Sequence, residues 1–342
     1  MTGAAPTGHV LVVGDVMTDI IVRPAGAPAP GSDRPAAIEM RPGGGGANLA
    51  AWLGHLGVPV LFAGRVGAAD HAAWTAWLAG FGARTALAAD PRRPSGRLIC
   101  VLDPDGERSF LTDRGANAAL CRRDLPDSLL NGAASLHVSG YALFEAGPRA
   151  AVRALMTQAR RRGVPVSIDA ASAAPLAAVG AATFLAWTAG TDILFANAAE
   201  AAVLADGAAD AAGRLAAGYR FVVVKRGAAG AELAGPAGLR LRRAARAVTA
   251  RDTTGAGDAV LAGFLAARLA GASPARCLAR GVAAGTASVT RLGGQPSQGG
   301  HRPFSGPAPL RSPATTPPAA RSPAAPGPSR SPPPPPTPAT AG

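Results

Sequence analysis

"TDILFANAAEAAVLA" (residues 191–205) contains the structural unit from which the fold can be inferred. Its apolar run from Ile193 to Ala196 is consistent with a buried strand, ends at the polar Asn197, and leads directly into a segment with a helical pattern. A strand that is apolar throughout, without alternating polar residues, is typical of a parallel strand covered on both faces. This stretch therefore predicts one strand-helix unit of an α/β sheet.

The same unit recurs along the chain. Further apolar runs that end in small or polar residues are "HVLVVGD" (9–15), "VPVLFAG" (58–64), "ASLHVSG" (134–140), "VPVSIDA" (164–170) and "RFVVVKRG" (220–227). Helical patterns are found at residues 47–56, 70–82, 147–162, 198–205 and 208–218. The alternation predicts a doubly wound, mostly parallel α/β sheet with helices on both faces. Ligands bind such sheets at the carboxyl ends of the strands, which here carry Asp15, Ser139, Asp169, Asn197 and Lys225.

Two stretches interrupt this alternation, residues 19–42 and 95–117. The second has two strand-like runs around a "DPDGE" turn (103–107). Together they predict a small β-sheet that projects from the main domain as a lid over the ligand site. The alternative is that both stretches are surface excursions without a function.

The composition changes near Gln295, from where the chain is rich in proline and has few apolar side chains. Such a segment cannot bury enough apolar surface to become ordered. Residues 295–342 are therefore predicted to be a disordered Pro-rich tail, and residues 1–294 to be one domain that includes the two lid segments. A chain that ends near Gly294 is expected to fold and function as the full chain does.

The composition also excludes several classes of protein. The chain has 342 residues and a formal charge of +13, but its basic residues are scattered, and Lys225 is the one lysine. This distribution argues against a nucleic-acid-binding protein. The apolar stretches are too short to span a membrane and no secretory signal is recognisable, so a cytoplasmic protein without a membrane partner is expected. The three cysteines and five histidines lack the spacing of a disulfide framework or a zinc site.

A glycine turn precedes the helix predicted within "RDTTGAGDAVLAGFLAARLAG" (residues 251–271). Gly255, Ala256 and Gly257 lie directly before Asp258, and apolar residues then recur at helical spacing. Glycines allow a close approach of the backbone to a ligand, and the first-turn amides and dipole of a helix favour a bound phosphate. A carboxylate beside an anion site suggests phosphoryl transfer. The alternative interpretation is that Asp258 only caps or charges the start of the helix.

A second glycine run lies in "RPGGGGANLAAWLGHLG" (41–57), and "GDVMTD" (14–19) ends the first predicted strand. With "DTTGAGD" (252–258), these motifs resemble the signatures of the PfkB or ribokinase family of carbohydrate kinases, in the same order along the chain. "NAAE" (197–200) and "KRGAAG" (225–230) also fall where that family carries its N-x-x-E and G-x-x-G elements. The resemblance covers about residues 8–294.

The resemblance implies a ribokinase-like fold, ATP and Mg²⁺ as cofactors, and a small sugar or nucleoside as substrate. It assigns Asp258 as the catalytic base and Gly255, Ala256 and Gly257 as the anion hole. The implied substrate contacts are Asp15, Asp19, Gly43, Gly44 and Asn48, and the implied ATP contacts are Asn197, Lys225, Gly227 and Gly230. Glu200 would bind Mg²⁺ through water, and Asp252 is a candidate for a monovalent cation site such as K⁺. A homodimer is compatible with the resemblance.

The sequence departs from the ribokinase pattern at several positions. Gly45 stands where ribokinases tend to have a lysine that contacts sugar, and Leu49 where they have glutamine. "DAASAAP" (169–175) lacks the usual D-x-N-x-R, and "RGVAAGTASV" (280–289) lacks an asparagine that contacts nucleotide in many relatives. We therefore expect free ribose to be a poor acceptor, and predict a furanose-type sugar, a sugar phosphate or a nucleoside phosphorylated at a primary hydroxyl.

Two other classes of protein are alternatives to a kinase. One is a regulatory protein of the same fold that binds sugar or nucleotide without turnover, against which the intact "GAGD" turn (255–258) argues. The other is a dinucleotide oxidoreductase, which needs G-x-G-x-x-G after the first strand, where this chain has "GDVMTD" instead.

Overall fold

The apolar runs of the sequence form the strands of two sheets. The computed structural model describes residues 8–26, 31–102, 108–291 and 293–296. The strands are β1 (His9–Val13), β2 (Met17–Pro24), β3 (Ala36–Gly43), β4 (Val60–Gly67), β5 (Ala83–Asp90), β6 (Gly96–Leu102), β7 (Arg108–Asp113), β8 (Ala133–Ser139), β9 (Val166–Asp169), β10 (Ile193–Asn197), β11 (Phe221–Lys225), β12 (Ala231–Ala234) and β13 (Arg240–Arg243). The helices are α1 (Gly45–His55), α2 (His71–Ala79), α3 (Ala146–Arg161), α4 (Ala173–Val179), α5 (Ala181–Trp187), α6 (Ala198–Leu204), α7 (Ala211–Leu215), α8 (Ala256–Leu269) and α9 (Pro274–Ser288).

The large sheet has the strand order β13-β12-β11-β10-β9-β8-β1-β4-β5. Every neighbouring pair from β11 through β5 is parallel, while β12 and β13 are antiparallel additions at one edge. From β1 the chain builds outward through β4 to β5, and then returns to β8 on the other side of β1. Ligands bind α/β sheets at such a switch in strand order, so the functional site is expected beyond the ends of β1 and β8.

Helices cover both faces of this sheet, because successive apolar side chains of the central strand β1 point to opposite faces and all need to be buried. Val10 and Val12 of β1 pack in a core with α1, α2, α8 and α9, while Leu11 and Val13 pack in a second core with α3, α6 and α7. All four side chains are fully buried. The doubly wound, mostly parallel α/β fold predicted from the sequence is confirmed.

The two segments that interrupt the alternation form a separate four-stranded sheet of order β3-β2-β6-β7. β2 pairs antiparallel with β3 and parallel with β6, and β6 pairs antiparallel with β7. The "DPDGE" turn between β6 and β7 lies outside the described residues. The chain enters this small sheet directly after β1 and leaves β3 into α1, so it borders the carboxyl end of β1. Its action as a lid stays a prediction.

Several elements were not predicted from the sequence. β5 is rich in alanine, and β13 is an exposed arginine-rich edge strand, so neither has the apolar run that marks a buried strand. Among the described residues no helix is long and apolar enough to cross a membrane. The predicted disorder of the tail concerns residues that lie, apart from Gln295 and Pro296, outside the described part of the chain.

Candidate functional site

The residue at the centre of the candidate site is Asp258, in the first turn of α8. The helix begins at Ala256, two residues earlier than Asp258, and its N-cap is Gly255 in the left-handed conformation, with φ of 68°. Glycine is needed there because a side chain would overlap the backbone of Gly294. Asp258 is not the cap of the helix: its Oδ2 accepts a hydrogen bond of 3.0 Å from Nδ2 of Asn48, on α1. The local fold therefore directs this carboxylate toward α1.

The predicted anion hole lies at the amino end of α8, where first-turn amides point away from the helix. The amide of Ala256 donates to the carbonyl of Thr253 at 3.3 Å, so it is engaged within the turn. Lys225, at the carboxyl end of β11, borders the same turn: a Cβ added at Gly257 would lie 3.3 Å from its Nζ. An ammonium group beside a helix amino terminus is a favourable environment for phosphate.

Lys225 is held by a carboxylate that follows a neighbouring strand. Its Nζ donates to Oδ1 of Asp169 at 2.9 Å. Burial opposes the charged amine, but the carboxylates of Asp169 and Glu200 outweigh it and raise the pKa of Lys225. Burial, together with the negative charge of Asp169, raises the pKa of Asp258 to about 7. The sequence placed Asp169 at the strand ends, but its ion pair with Lys225 was not predicted.

Asn197 and Glu200 form a reciprocal capping box at the start of α6. Oδ1 of Asn197 accepts from the amide of Glu200 at 2.9 Å, and Oε2 of Glu200 accepts from the amide of Asn197 at 2.7 Å. Glu200 is 2% exposed, and burial and the charge of Asp169 raise its pKa to about 7. The motif therefore has a structural function, which fixes an acidic side chain beside the Lys225–Asp169 pair.

The donor set at this edge of the sheet is compatible with Mg²⁺. Carboxylate oxygens suit this cation, which keeps several waters and is commonly held through one or two carboxylates and the phosphates of the substrate. Within the described ranges no cluster of three or more His, Cys, Asp or Glu residues could hold a metal by itself. The two carboxylates that interact with each other at this edge of the sheet are those of Glu200 and Asp169.

The predicted substrate residues Asp15 and Asp19 lie against the second glycine run. A side chain at Gly43 would overlap the carboxylate of Asp19, and one at Gly44, where φ is 94°, would overlap the carbonyl of Asp15. Burial raises the pKa of Asp15, and burial and the charge of Asp252 raise the pKa of Asp19 to about 7. The close approach of this loop to the carboxylate of Asp19 and to the backbone of Asp15 therefore favours glycine at both positions.

An arginine that was not singled out from the sequence is paired with Asp15. Arg114 follows β7 of the small sheet, and its Nη2 donates to Oδ1 of Asp15 at 2.9 Å. Its guanidinium lies 5.6 Å from the ring centroid of Tyr141. The Nε of Arg114 is buried and has no hydrogen-bond partner within the described residues. A cation therefore stands beside a predicted substrate contact.

The segment after α9 also reaches the site. The amide of Gly293 donates to Oδ2 of Asp252 at 3.0 Å, and Nε1 of Trp52 donates to the carbonyl of Gly294 at 2.8 Å. Gln295, which the sequence placed in the tail, donates through Nε2 to the carbonyl of Pro42 and to Oδ1 of Asn48. Residues 293–295 are thus in contact with Asp252, α1 and β3, and the domain boundary at Gly294 stays a prediction.

The backbone explains why glycine occurs at two of the positions predicted to contact nucleotide. Gly227 lies in a short turn between β11 and β12, and Gly230 has a φ of 90° where a side chain would overlap the carbonyl of Arg243. This hairpin places the end of β11 and Lys225 at the site. Contact of Gly227 and Gly230 with nucleotide stays a prediction.

Comparisons with known proteins agree with this architecture. Residues 7–298 match the family model described as pfkB family carbohydrate kinase. The chain is 30% identical over 289 residues, 83% of its length and 93% of the relative's, to an ATP-dependent ribose-1-phosphate kinase from Halopiger xanaduensis. It is similar, with a TM-score of 0.70 and 25% identity over 85% of this chain and 96% of the other, to the Arabidopsis thaliana ribokinase complexed with ribose and ATP. A candidate ribokinase II from E. coli in complex with ATP and Mg²⁺ gives a TM-score of 0.71 and 25% identity, covering 84% of this chain and 94% of the other.

The contacts of the segment 293–296 predict a sharp difference between two truncated chains. A chain that ends at Pro296 keeps the bonds made by Gly293, Gly294 and Gln295, and should match the full chain in thermal stability and turnover. A chain that ends at Arg291 loses four hydrogen bonds at the site, each contributing about 0.5–1.5 kcal/mol, and should unfold at a lower temperature with reduced turnover.

Differential scanning fluorimetry and ATP turnover on the three chains make the comparison. Equal behaviour of the two truncated chains would show that these contacts contribute nothing, and a loss in the chain ending at Pro296 would show that the remainder of the tail docks.

Proposed function

This chain belongs to the pfkB family of carbohydrate kinases, and on that premise we propose that it transfers the γ-phosphate of ATP to a primary hydroxyl of a small phosphorylated furanose. It is an ATP-dependent sugar or nucleoside kinase, with an alcohol group as acceptor and ATP and Mg²⁺ as cofactors. The finer assignment rests on Asp258, whose position at the amino end of α8 beside Lys225 carries the proposal.

In the proposed reaction Asp258 is the base. Its carboxylate takes the proton of the acceptor hydroxyl while that oxygen forms a bond to the γ-phosphorus and the bond to the ADP oxygen breaks. A pKa near 7 suits this role, since the group is ionised in a large fraction of molecules at neutral pH and still binds a proton well. The hydrogen bond from Asn48 holds the carboxylate in one orientation.

Lys225 and the start of α8 stabilise the transferred phosphoryl group in this proposal. The ammonium group lies beside Gly257 in the first turn of the helix, where it would meet the charge that builds up on the phosphoryl oxygens. Asp169 positions Lys225 through their ion pair. When bound, Mg²⁺ neutralises phosphate charge, and Glu200 with Asp169 would hold its waters.

The acceptor proposed first is ribose 1-phosphate. The relative from Halopiger xanaduensis is named for this substrate and shares 30% of its residues with this chain. A phosphorylated acceptor also needs a cation in the substrate pocket, and Arg114 beside Asp15 supplies one. Fructose phosphates and nucleosides follow as acceptors. A non-catalytic regulatory protein is not favoured, because a base, a cation and a helix terminus converge here.

Asp258→Asn should lower kcat by at least about 10²-fold, because the amide cannot take the hydroxyl proton, while ATP binding persists.

The Asp258→Asn variant should also have a melting temperature about 2–4 °C above that of the wild type at pH 8. The folded state raises the pKa of Asp258 from 3.8 to about 7, so the stability linked to its proton is present below pH 4 and is lost as pH rises through 7. Asparagine does not ionise, so the variant avoids this loss of stability at high pH.

Steady-state kinetics and thermal melts between pH 5 and 8 test this, with the exposed Asp206→Asn as the matched control. In the wild type, kcat/KM should decline as pH falls through about 7. Near-normal turnover of Asp258→Asn would overturn the assignment of the base.

Arg114→Ala should selectively weaken the use of phosphorylated acceptors. Loss of a charge-assisted hydrogen bond is worth about 1.5–3 kcal/mol, so the ratio of kcat/KM for ribose 1-phosphate over ribose should fall at least about tenfold. The measurement is kcat/KM for ribose 1-phosphate, ribose, fructose phosphates and adenosine in the wild type, Arg114→Ala, Arg114→Lys and the exposed control Arg153→Ala. Ribose as the best wild-type acceptor, or an unchanged ratio in Arg114→Ala, would contradict the proposed substrate class.

Glu200→Gln should raise the Mg²⁺ concentration needed for half-maximal activity by about tenfold, because the carboxylate charge near the metal is lost. Glutamine can still accept from the amide of Asn197 and so keep the capping box, although it loses the bond from Nδ2 of Asn197, and the fold should persist. A Mg²⁺ titration of ATP turnover, with the exposed Glu145→Gln as control, measures the shift. Full wild-type activity in EDTA would refute a metal requirement altogether.

A further inference from the structure

Arg41 lies between two carboxylates where β3 of the small sheet meets the segment before α8. Glu39 and Arg41 are two residues apart on β3 and therefore lie on the same face of the strand. The Nε and Nη2 of Arg41 donate to the carboxylate of Glu39 at 2.8 and 2.7 Å. On its other side, Nη1 of Arg41 lies 3.6 Å from Oδ2 of Asp252. The side chain of Arg41 is 14% exposed, and its Nη1 is buried without a hydrogen-bond partner in the described part of the chain.

The two carboxylates depend on this guanidinium to different degrees. The side chain of Glu39 is 46% exposed to water, and a second cation, Arg23, lies 3.7 Å from it. Asp252 is 7% exposed, so its charge is poorly solvated. A buried carboxylate needs a compensating positive charge far more than an exposed one does. The guanidinium therefore matters mainly to Asp252.

Asp252 is also the residue for which the family resemblance implies a monovalent cation. Its Oδ1 accepts from the amide of Thr254 at 2.9 Å, and its Oδ2 accepts from the amide of Gly293 at 3.0 Å. Both carboxylate oxygens thus face hydrogen-bond donors, and the charged group of Arg41 stands next to them. A K⁺ ion needs a shell of oxygen ligands. A K⁺ ion bound to Asp252 would also be repelled by the guanidinium of Arg41, whose Nη1 lies 3.6 Å from the carboxylate of Asp252. These residues do not fit a K⁺ site.

We propose that the guanidinium of Arg41 permanently supplies the positive charge that a monovalent cation would bring beside Asp252, so that this enzyme works without K⁺. The inference rests on the proposed kinase activity for its kinetic part. Asp252 fixes the backbone of Thr254, the residue before the N-cap of α8, and so Arg41 acts as a positioning residue for the turn at Asp258. Because Arg41 belongs to β3, the same contact connects the small sheet to that turn.

The test exchanges the fixed charge for a diffusible one. Wild type and Arg41→Ala are assayed for ATP turnover and thermal unfolding in potassium chloride and in tetramethylammonium chloride at equal ionic strength. The wild type should not respond to the exchange. Arg41→Ala should lose at least about tenfold in kcat in tetramethylammonium and regain most of it in K⁺, and its melting temperature should rise in K⁺.

Two controls separate charge supply from simple bracing. Arg23→Ala removes the other arginine near Glu39 and should leave both readouts insensitive to K⁺. Arg41→Lys keeps a positive charge with a different shape, and should remain independent of K⁺.

Dependence of the wild type on K⁺ would overturn the proposal, as would an Arg41→Ala variant that K⁺ neither reactivates nor stabilises. The melting experiment needs no acceptor. It therefore still tests Arg41 if no acceptor turns over, an outcome that would count against the proposed function instead.

Discussion

A cleft that buries carboxylates must provide each of them with a positive charge or a proton, and this constraint shapes the whole site. Unpaired buried charges cost several kcal/mol, roughly the margin by which a protein is stable. The chain meets the constraint with basic side chains drawn from distant parts of the sequence. The pairs are Lys225 with Asp169, Arg114 with Asp15, and Arg41 with Asp252.

These cations do not balance all of the buried negative charge, and the unbalanced charge shifts the pKa values of several carboxylates. Burial and neighbouring carboxylates raise the pKa values of Asp19, Glu200 and Asp258 to about 7, and Lys225 offsets only part of the effect at Glu200 and Asp258. Groups that titrate near neutral pH can exchange protons or accept a cation that arrives with a ligand. A site of this kind sacrifices stability in the empty state, and a phosphate-metal complex would recover part of it.

The parallel topology explains why so many separate segments meet. Each parallel strand ends at the same edge of the sheet, so residues that follow β1, β9, β10 and β11 become neighbours. The remaining parts come from the small sheet, the glycine loop before α1, the start of α8 and the segment after α9. Gly43 and Gly255 show what this crowding requires, since a side chain at either would overlap another part of the site.

The sequence by itself determined the elements whose signal is local. Apolar runs marked the parallel strands and glycines marked the close turns, while the roles given to Asp258 and Asn48 from motif order stay predictions. The capping box of Asn197 and Glu200 is likewise formed by residues that are close in the sequence. No local pattern identified the alanine-rich β5 or the edge strand β13, which depend on pairing with neighbours.

Only the tertiary structure decided which charges meet. Arg114 is 99 residues from Asp15 and Lys225 is 56 residues from Asp169, so no spacing rule links them. The same holds for Gln295, which lies in the Pro-rich part of the sequence but contacts Pro42 near the end of β3. In a chain with many scattered arginines, the sequence does not distinguish those that pair with a buried carboxylate from those that do not. Its role depends on the carboxylate that folding places beside it, because electrostatic compensation acts through space and not along the chain.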